Sequence, residues 1–148
     1  MDKERTGAPL RYYCDADLLI AMLKEEDELR ASAVKVFTAA RQKRIEVFTS
    51  GAALLEVLFW ASKAKARRAK IREYVRTAAR LVSEVIPLTY EDFVIAAEYL
   101  QAKPIFALDA LHAAAAGTWP ILSSDTIYEK LGLRRVDPAE LAESLVAE

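Results

Sequence analysis

Cysteine and histidine are almost missing from this 148-residue chain: Cys14 and His112 are the only examples of each. One cysteine excludes an internal disulfide and fits a reducing compartment. One histidine with no cysteine cluster argues against a zinc centre and against histidine-based general catalysis. Asparagine is absent and glutamine occurs only at Gln42 and Gln101, a composition that points to a thermophilic source. No apolar run approaches the ~20 residues of a membrane span. Met1 to Glu4 mixes charges where a signal peptide would need a basic start and an apolar core. The expected location is therefore the cytoplasm, with no membrane partner. Net charge is −1, so bulk charge does not announce a nucleic-acid binder, and such binding must come from a local patch.

What is present is apolar and regular. Hydrophobic residues make up 53% and charged residues 29%, the balance of a folded globular chain. The length suits one domain. Residues 1–9 read as a disordered leader and residues 10–148 as the domain. Arg11 to Asp15 reads as a central strand and Asp17 to Lys24 as a short apolar helix. Glu25 to Arg44 reads as a longer amphipathic helix with Leu29, Ala33, Val36, Phe37 and Ala40 on one face. Ile45 to Thr49 is a second strand, and Ser50 caps a helix, or helix pair, running through a basic region to Val82. Glu84 to Leu88 is a third strand. Thr89 to Asp92 opens a helix with Phe93, Ala96, Ala97 and Leu100 inward. A helix around Asp109 ends at Gly117, and Ile121 to Ser124 is a fourth strand. Asp125 or Thr126 caps a last short helix, and Leu133 to Val136 adds an edge strand. Strands alternating with helices predict an α/β fold, a mainly parallel four- or five-stranded sheet with helices on both faces.

Acids in apolar surroundings carry the chemistry. Glu56 lies in Ala52-Ala53-Leu54-Leu55-Glu56-Val57-Leu58-Phe59-Trp60 and has no polar helix face to share. An unpaired buried charge costs several kcal/mol or neutralises itself. Asp109 lies in an equally apolar stretch, Ile105 to Leu111. Asp15 ends the first strand and Asp125 follows the fourth, where each has a plain alternative role as a helix cap. All four fall at a strand C-terminus or near the start of the following helix. In open α/β sheets those ends share one edge, where ligands bind. The four carboxylates can converge there, and Mg²⁺ or Mn²⁺ prefers such hard oxygen ligands.

These motifs resemble those of the PIN-domain ribonucleases, most closely the toxins of VapBC-type toxin–antitoxin pairs. The resemblance rests on Tyr13 to Ile20, Thr49 through Glu56, Leu108 to Ala114, and Ile121 to Asp125, and covers nearly the whole chain. It implies a PIN-like three-layer α/β/α fold. It also implies a metal-dependent endoribonuclease with Asp15, Glu56, Asp109 and Asp125 as catalytic and metal-holding residues. Where the family commonly has Ser, Thr or Asn, this chain has Asp17, read as a cap or outer group. Ser123 is read as a hydroxyl bonding a carboxylate or water, and His112 as a core or supporting residue facing the sheet. The resemblance further implies RNA as substrate, a homodimer and a small antitoxin partner. A stand-alone RNA-processing nuclease and a non-catalytic PIN-like module remain the alternatives.

Eight cations between Lys63 and Arg80 face one acid, Glu73, with Arg68, Arg72, Arg76 and Arg80 at i, i+4 spacing. On one helix such a stripe repels itself by a few tenths of a kcal/mol per pair. A phosphate backbone would relieve that, so Arg68, Arg72 and Arg76 are candidate RNA contacts. A solvated, salt-bridged face is the alternative. The apolar segments Asp17 to Leu23 and Leu54 to Trp60 are expected to leave surface for a partner.

Overall fold

The structure, a computed structural model, describes residues 10–147, and the expected leader lies outside the described residues. Five strands form one sheet in the order β3-β2-β1-β4-β5, every pair parallel. They are β1 (Leu10–Cys14), β2 (Ile45–Ser50), β3 (Val85–Ile86), β4 (Ile121–Leu122) and β5 (Arg135–Val136). The helices are α1 (Ala16–Leu23), α2 (Arg30–Arg41), α3 (Gly51–Ser62), α4 (Lys65–Arg68), α5 (Ile71–Leu81), α6 (Tyr90–Ala102), α7 (Ala107–Ala116), α8 (Ile127–Lys130) and α9 (Pro138–Ala147).

Strand side chains alternate between two cores. Tyr12, Cys14, Ile45 and Val47 join α1, α2, α5 and α9 on one face. Tyr13, Phe48 and Ile121 join Ala116 of α7 and Tyr128 of α8 on the other. The α3 helix bridges them, with Ala53 and Val57 in the first core and Ala52 packed on α6 and α7. Parallel pairing brings all strand C-termini to one edge. The ends are tied there: Asp15 N donates to Leu122 O at 3.0 Å and Thr49 Oγ1 to Cys14 O at 2.6 Å.

The layered α/β architecture is as expected, and several boundaries differ. The helix expected from Glu25 begins at Arg30. Asp27 Oδ1 takes the Leu29 N–H, and the Arg30 guanidinium caps the end of α1 through the carbonyls of Ala21, Met22 and Lys24. Those local bonds outcompete the helix propensity of the acidic run. The basic stretch divides into α4 and α5 after α3, because Arg67 stacks on Trp60 and Arg68 donates back to Ser62 O. Sequence spacing therefore overstated the stripe: Arg72, Arg76 and Arg80 share α5, while Arg68 sits on α4. In α6 the inward face is Ile95, Ala96 and Tyr99, and Phe93, Ala97 and Leu100 face out. The helix packs through Ala96 flanked by Ile95 and Tyr99.

The strands at Glu84–Leu88 and Ile121–Ser124 shrink to two residues each. Thr126 occupies the N-cap of α8 without a side-chain bond, and Asp125 Oδ1 instead takes the Ile127 N–H at 3.0 Å. The terminal helix α9 was not anticipated. Asp137-Pro138 is its start signal, proline being pre-set for a first helical position, and Leu141, Ala142 and Leu145 are buried. Gly117 ends α7 at φ 61° and ψ −121°, a conformation that favours glycine. In the α1 segment Leu18, Leu19 and Ala21 are buried, and Ile20, Met22 and Leu23 are half-buried.

Candidate metal centre

A cleft of about 520 Å³ opens at the C-terminal edge of the sheet. Asp15, Glu56, Asp109 and Asp125 all line it, together with Asp17 and Ser124. The topology explains the meeting. Asp15 follows β1 as the N-cap of α1, Glu56 is on the second turn of α3, Asp109 is in the first turn of α7, and Asp125 follows β4.

Asp15 is held most firmly. Its Oδ1 accepts from Ala16 N at 2.7 Å, and its Oδ2 accepts from Ser123 Oγ at 2.7 Å and Tyr128 OH at 3.1 Å. A longer contact joins Oδ1 to His112 Nε2 at 3.2 Å. Ser123 is buried and also takes the Asp125 N–H at 3.0 Å, coupling two of the acids through one hydroxyl. Asp17 Oδ1 takes the Leu18 N–H, and its Oδ2 accepts from Ser124 N and Ser124 Oγ at 2.9 and 2.6 Å, fastening the loop after β4. This is more than a helix cap.

His112 is fully buried on α7. Its Nε2 lies 2.6 Å from Glu56 Oε1 and its Nδ1 2.7 Å from the Tyr13 hydroxyl. Tyr13 in turn lies 2.7 Å from Ser50 Oγ. Burial alone would lower the His112 pKa, but the bond to Glu56 and the charge of Asp15 outweigh it and raise the pKa. Ser50 caps α3 as expected, but its contact with Tyr13 and the supporting roles of Tyr13 and Tyr128 escaped sequence reasoning. Tyr13 was legible in principle, since it lies two residues before Asp15 and shares its side of the strand. Tyr128 reaches Asp15 only through the tertiary fold, across 113 residues.

Among the described residues no Lys or Arg pairs with any of the five acids, and no hydrogen bond or ion pair reaches the Asp109 carboxylate. Burial first, then the charges of Asp15 and Asp125, push Asp109 up to about 6. Burial first, then Asp15, push Asp17 up to about 6 against its bonds from Ser124. The donor set fits a hard divalent cation, being oxygen-rich and short of counter-charge. One ligand-type atom each of Asp15, Glu56 and His112 lies within 4.8 Å of the others.

The PIN domain family model matches residues 12–132, and the chain belongs to that family. Membership implies nuclease activity in general terms. The fold is similar to three solved structures, each at low identity. VapBC2 from Rickettsia felis bound to a promoter DNA fragment matches with TM-score 0.67 and 12% identity, covering 86% of this chain and 98% of that one. FitAcB from Neisseria gonorrhoeae matches at 0.66 and 14%, covering 86% and 98%. Mycobacterium tuberculosis VapC20, described as a sarcin–ricin loop cleaving toxin, matches at 0.64 and 21%, covering 84% and 98%. No curated protein matches the chain. Among the described residues no helix is long and apolar enough to cross a membrane.

The raised acid pKa values make the ion-free site a source of instability. Between 3.8 and about 6 the folded state holds more protons than the unfolded chain. Stability present below that range is lost as pH rises through it. In chelator, Asp109→Asn is expected to melt higher than the parent at about pH 7.5 and close to it at about pH 3.5. A lower melting point at the higher pH would count against charge crowding.

Proposed function

We propose that this protein is a metal-dependent endoribonuclease acting in the cytoplasm as the toxin of a toxin–antitoxin pair. The observation that carries this reading is the convergence of Asp15, Glu56, Asp109 and Asp125 on one cleft, whose lining lysine, Lys24, pairs with Asp27 and, among the described residues, not with them. These four would hold Mg²⁺ or Mn²⁺. Bound there, the ions supply Lewis-acid charge for hydrolysing an RNA phosphodiester. The chain's own part is to orient and to exclude. Ser123 and Tyr128 fix Asp15, and Asp17 fixes the loop that presents Asp125. His112 supports Glu56 from behind.

Arg67 stands beside the cleft, and a basic face runs from there along α5 to Arg80, near the start of β2. Trp60 lines the cleft, Arg67 stacks on its ring at 4.9 Å, and the exposed Arg72, Arg76 and Arg80 continue along α5. This continuity supports Arg68, Arg72 and Arg76 as contacts to RNA phosphates rather than bases.

Two surfaces support partners. Leu58 and Phe59 on α3 are 41% and 48% exposed, Phe93 on α6 is 52% exposed and Phe106 before α7 is 81% exposed. With α7 packed against both α3 and α6, they offer apolar area suited to a two-fold homodimer. A separate cavity of about 650 Å³ has Phe37, Val47 and Leu81 in its lining and Arg41, Lys43 and Arg80 around it. Its chemistry suits an acidic, amphipathic segment of a small antitoxin.

Three outcomes are expected. Purified protein cuts RNA with Mn²⁺ or Mg²⁺, and neither chelator-treated protein nor Asp15→Asn does; end-mapped cleavage by either at the parent rate would falsify the nuclease assignment. Replacing Arg68, Arg72 and Arg76 with alanine weakens RNA binding across sequences and flattens its salt dependence, by about one unit of slope per lost contact. Unchanged affinity and slope would leave those side chains a solvated face. Light scattering should give a dimer at micromolar concentration that Phe59→Glu converts to monomer, while a wild-type monomer would remove the homodimer.

A further inference from the structure

Behind the acids lies a buried polar chain that joins three elements. Ser50 caps α3, Tyr13 stands on β1 and His112 on α7. The contacts Ser50 Oγ to Tyr13 OH and Tyr13 OH to His112 Nδ1 are both 2.7 Å, and all three side chains are excluded from solvent. Among the described residues no hydrogen bond joins Ser50 or Tyr13 to a carboxylate. Buried polar groups must be paired, but pairing alone does not require the last atom of the chain to point at an acid.

Orientation does. With Nδ1 engaged by Tyr13, the imidazole is fixed and Nε2 faces Glu56 Oε1 at 2.6 Å. Ionised carboxylates only accept, so Nε2 carries a hydrogen and donates it. Glu56 has no other side-chain hydrogen bond among the described residues, and its side chain is 28% exposed. Asp15 has three further donors. The His112 bond therefore matters most for Glu56. It takes Oε1 and leaves Oε2 free. At 2.6 Å the His112–Glu56 contact has hydrogen-bond length.

We propose that Ser50, Tyr13 and His112 form a positioning device for Glu56, one that fixes its carboxylate with a single oxygen open to the cleft and so sets the affinity for the divalent ion. His112 acts through Glu56 and does not ligate the ion. The inference rests on the nuclease reading only in taking a divalent ion as what Glu56 receives. It also explains why a tyrosine hydroxyl with no bond to an acid is kept beside the site.

The test is Mn²⁺ binding by the full chain, followed through the electron paramagnetic resonance of the free ion. It is run on the parent, Tyr13→Phe, His112→Gln and His112→Leu, each checked for folding by thermal melting in chelator. Tyr13→Phe removes one oxygen and keeps the ring packed edge-on against Phe48. It is expected to remain folded and to bind Mn²⁺ roughly 10-fold more weakly, as loss of supporting contacts around metal ligands typically does. His112→Leu should bind more weakly still, and His112→Gln, which keeps an N–H donor, should recover part of the difference. Pulsed resonance of the Mn²⁺-loaded parent should show no directly bonded nitrogen. Parent-like affinity in folded Tyr13→Phe and His112→Gln overturns the proposal, and so does a nitrogen coupling that His112→Gln abolishes. In either case Mn²⁺ still binds the parent and the nuclease reading stands. A parent that binds no Mn²⁺ overturns both.

Discussion

Crowding of like charge is the constraint on which this site depends. Six carboxylates line one small cleft, where Lys24 pairs with Asp27 and the buried imidazole of His112 meets Asp15 and Glu56. Repulsion of this kind can be relieved by protonation, by hydrogen bonds or by a metal. The structure uses the first two. Asp15 and Asp17 collect hydroxyl and backbone donors, while Asp109 collects none; burial and neighbouring charge raise Asp17 and Asp109 alike to about 6. The division separates acids that build the cleft from one that stays open to a ligand.

The parallel sheet makes the crowding possible. A strand that ends at Cys14 delivers Asp15, and one that ends at Leu122 delivers Ser123 and Asp125 to the same edge. The helices contribute from outside: Glu56 sits mid-helix on α3 and Asp109 in the first turn of α7. Ser50 links the two sources, ending β2, capping α3 through Ala52 N at 3.2 Å and meeting Tyr13 of β1. Strand order, helix start and polar chain are thus fixed by the same few residues.

Much of this was legible in the chain. The strand-forming residues of β1 and β2, the caps at Ser50 and Thr89, and the stop at Gly117 are local signals, and the structure follows them. Glu56 and Asp109 stood out because each broke an apolar stretch, and Asp15 and Asp125 because each followed a strand. What could not be read was set by distant contacts. The break between α4 and α5 depends on Arg67 finding Trp60. The rotation of α6 depends on Ala96 fitting against α7 and α3 where Phe93 does not. Tyr128 lies in a four-residue helix with little local signal, yet it completes the support of Asp15.

The cleft is closed on one side. Asp15 is 7% exposed and lies against Ser123, Tyr128 and His112, all buried, whereas Asp125 is exposed and Asp109 partly so. Lys24, Asp27 and Trp60 complete the lining, so a ligand that entered would find Asp15 at the floor, carboxylates around it and a single ammonium among them.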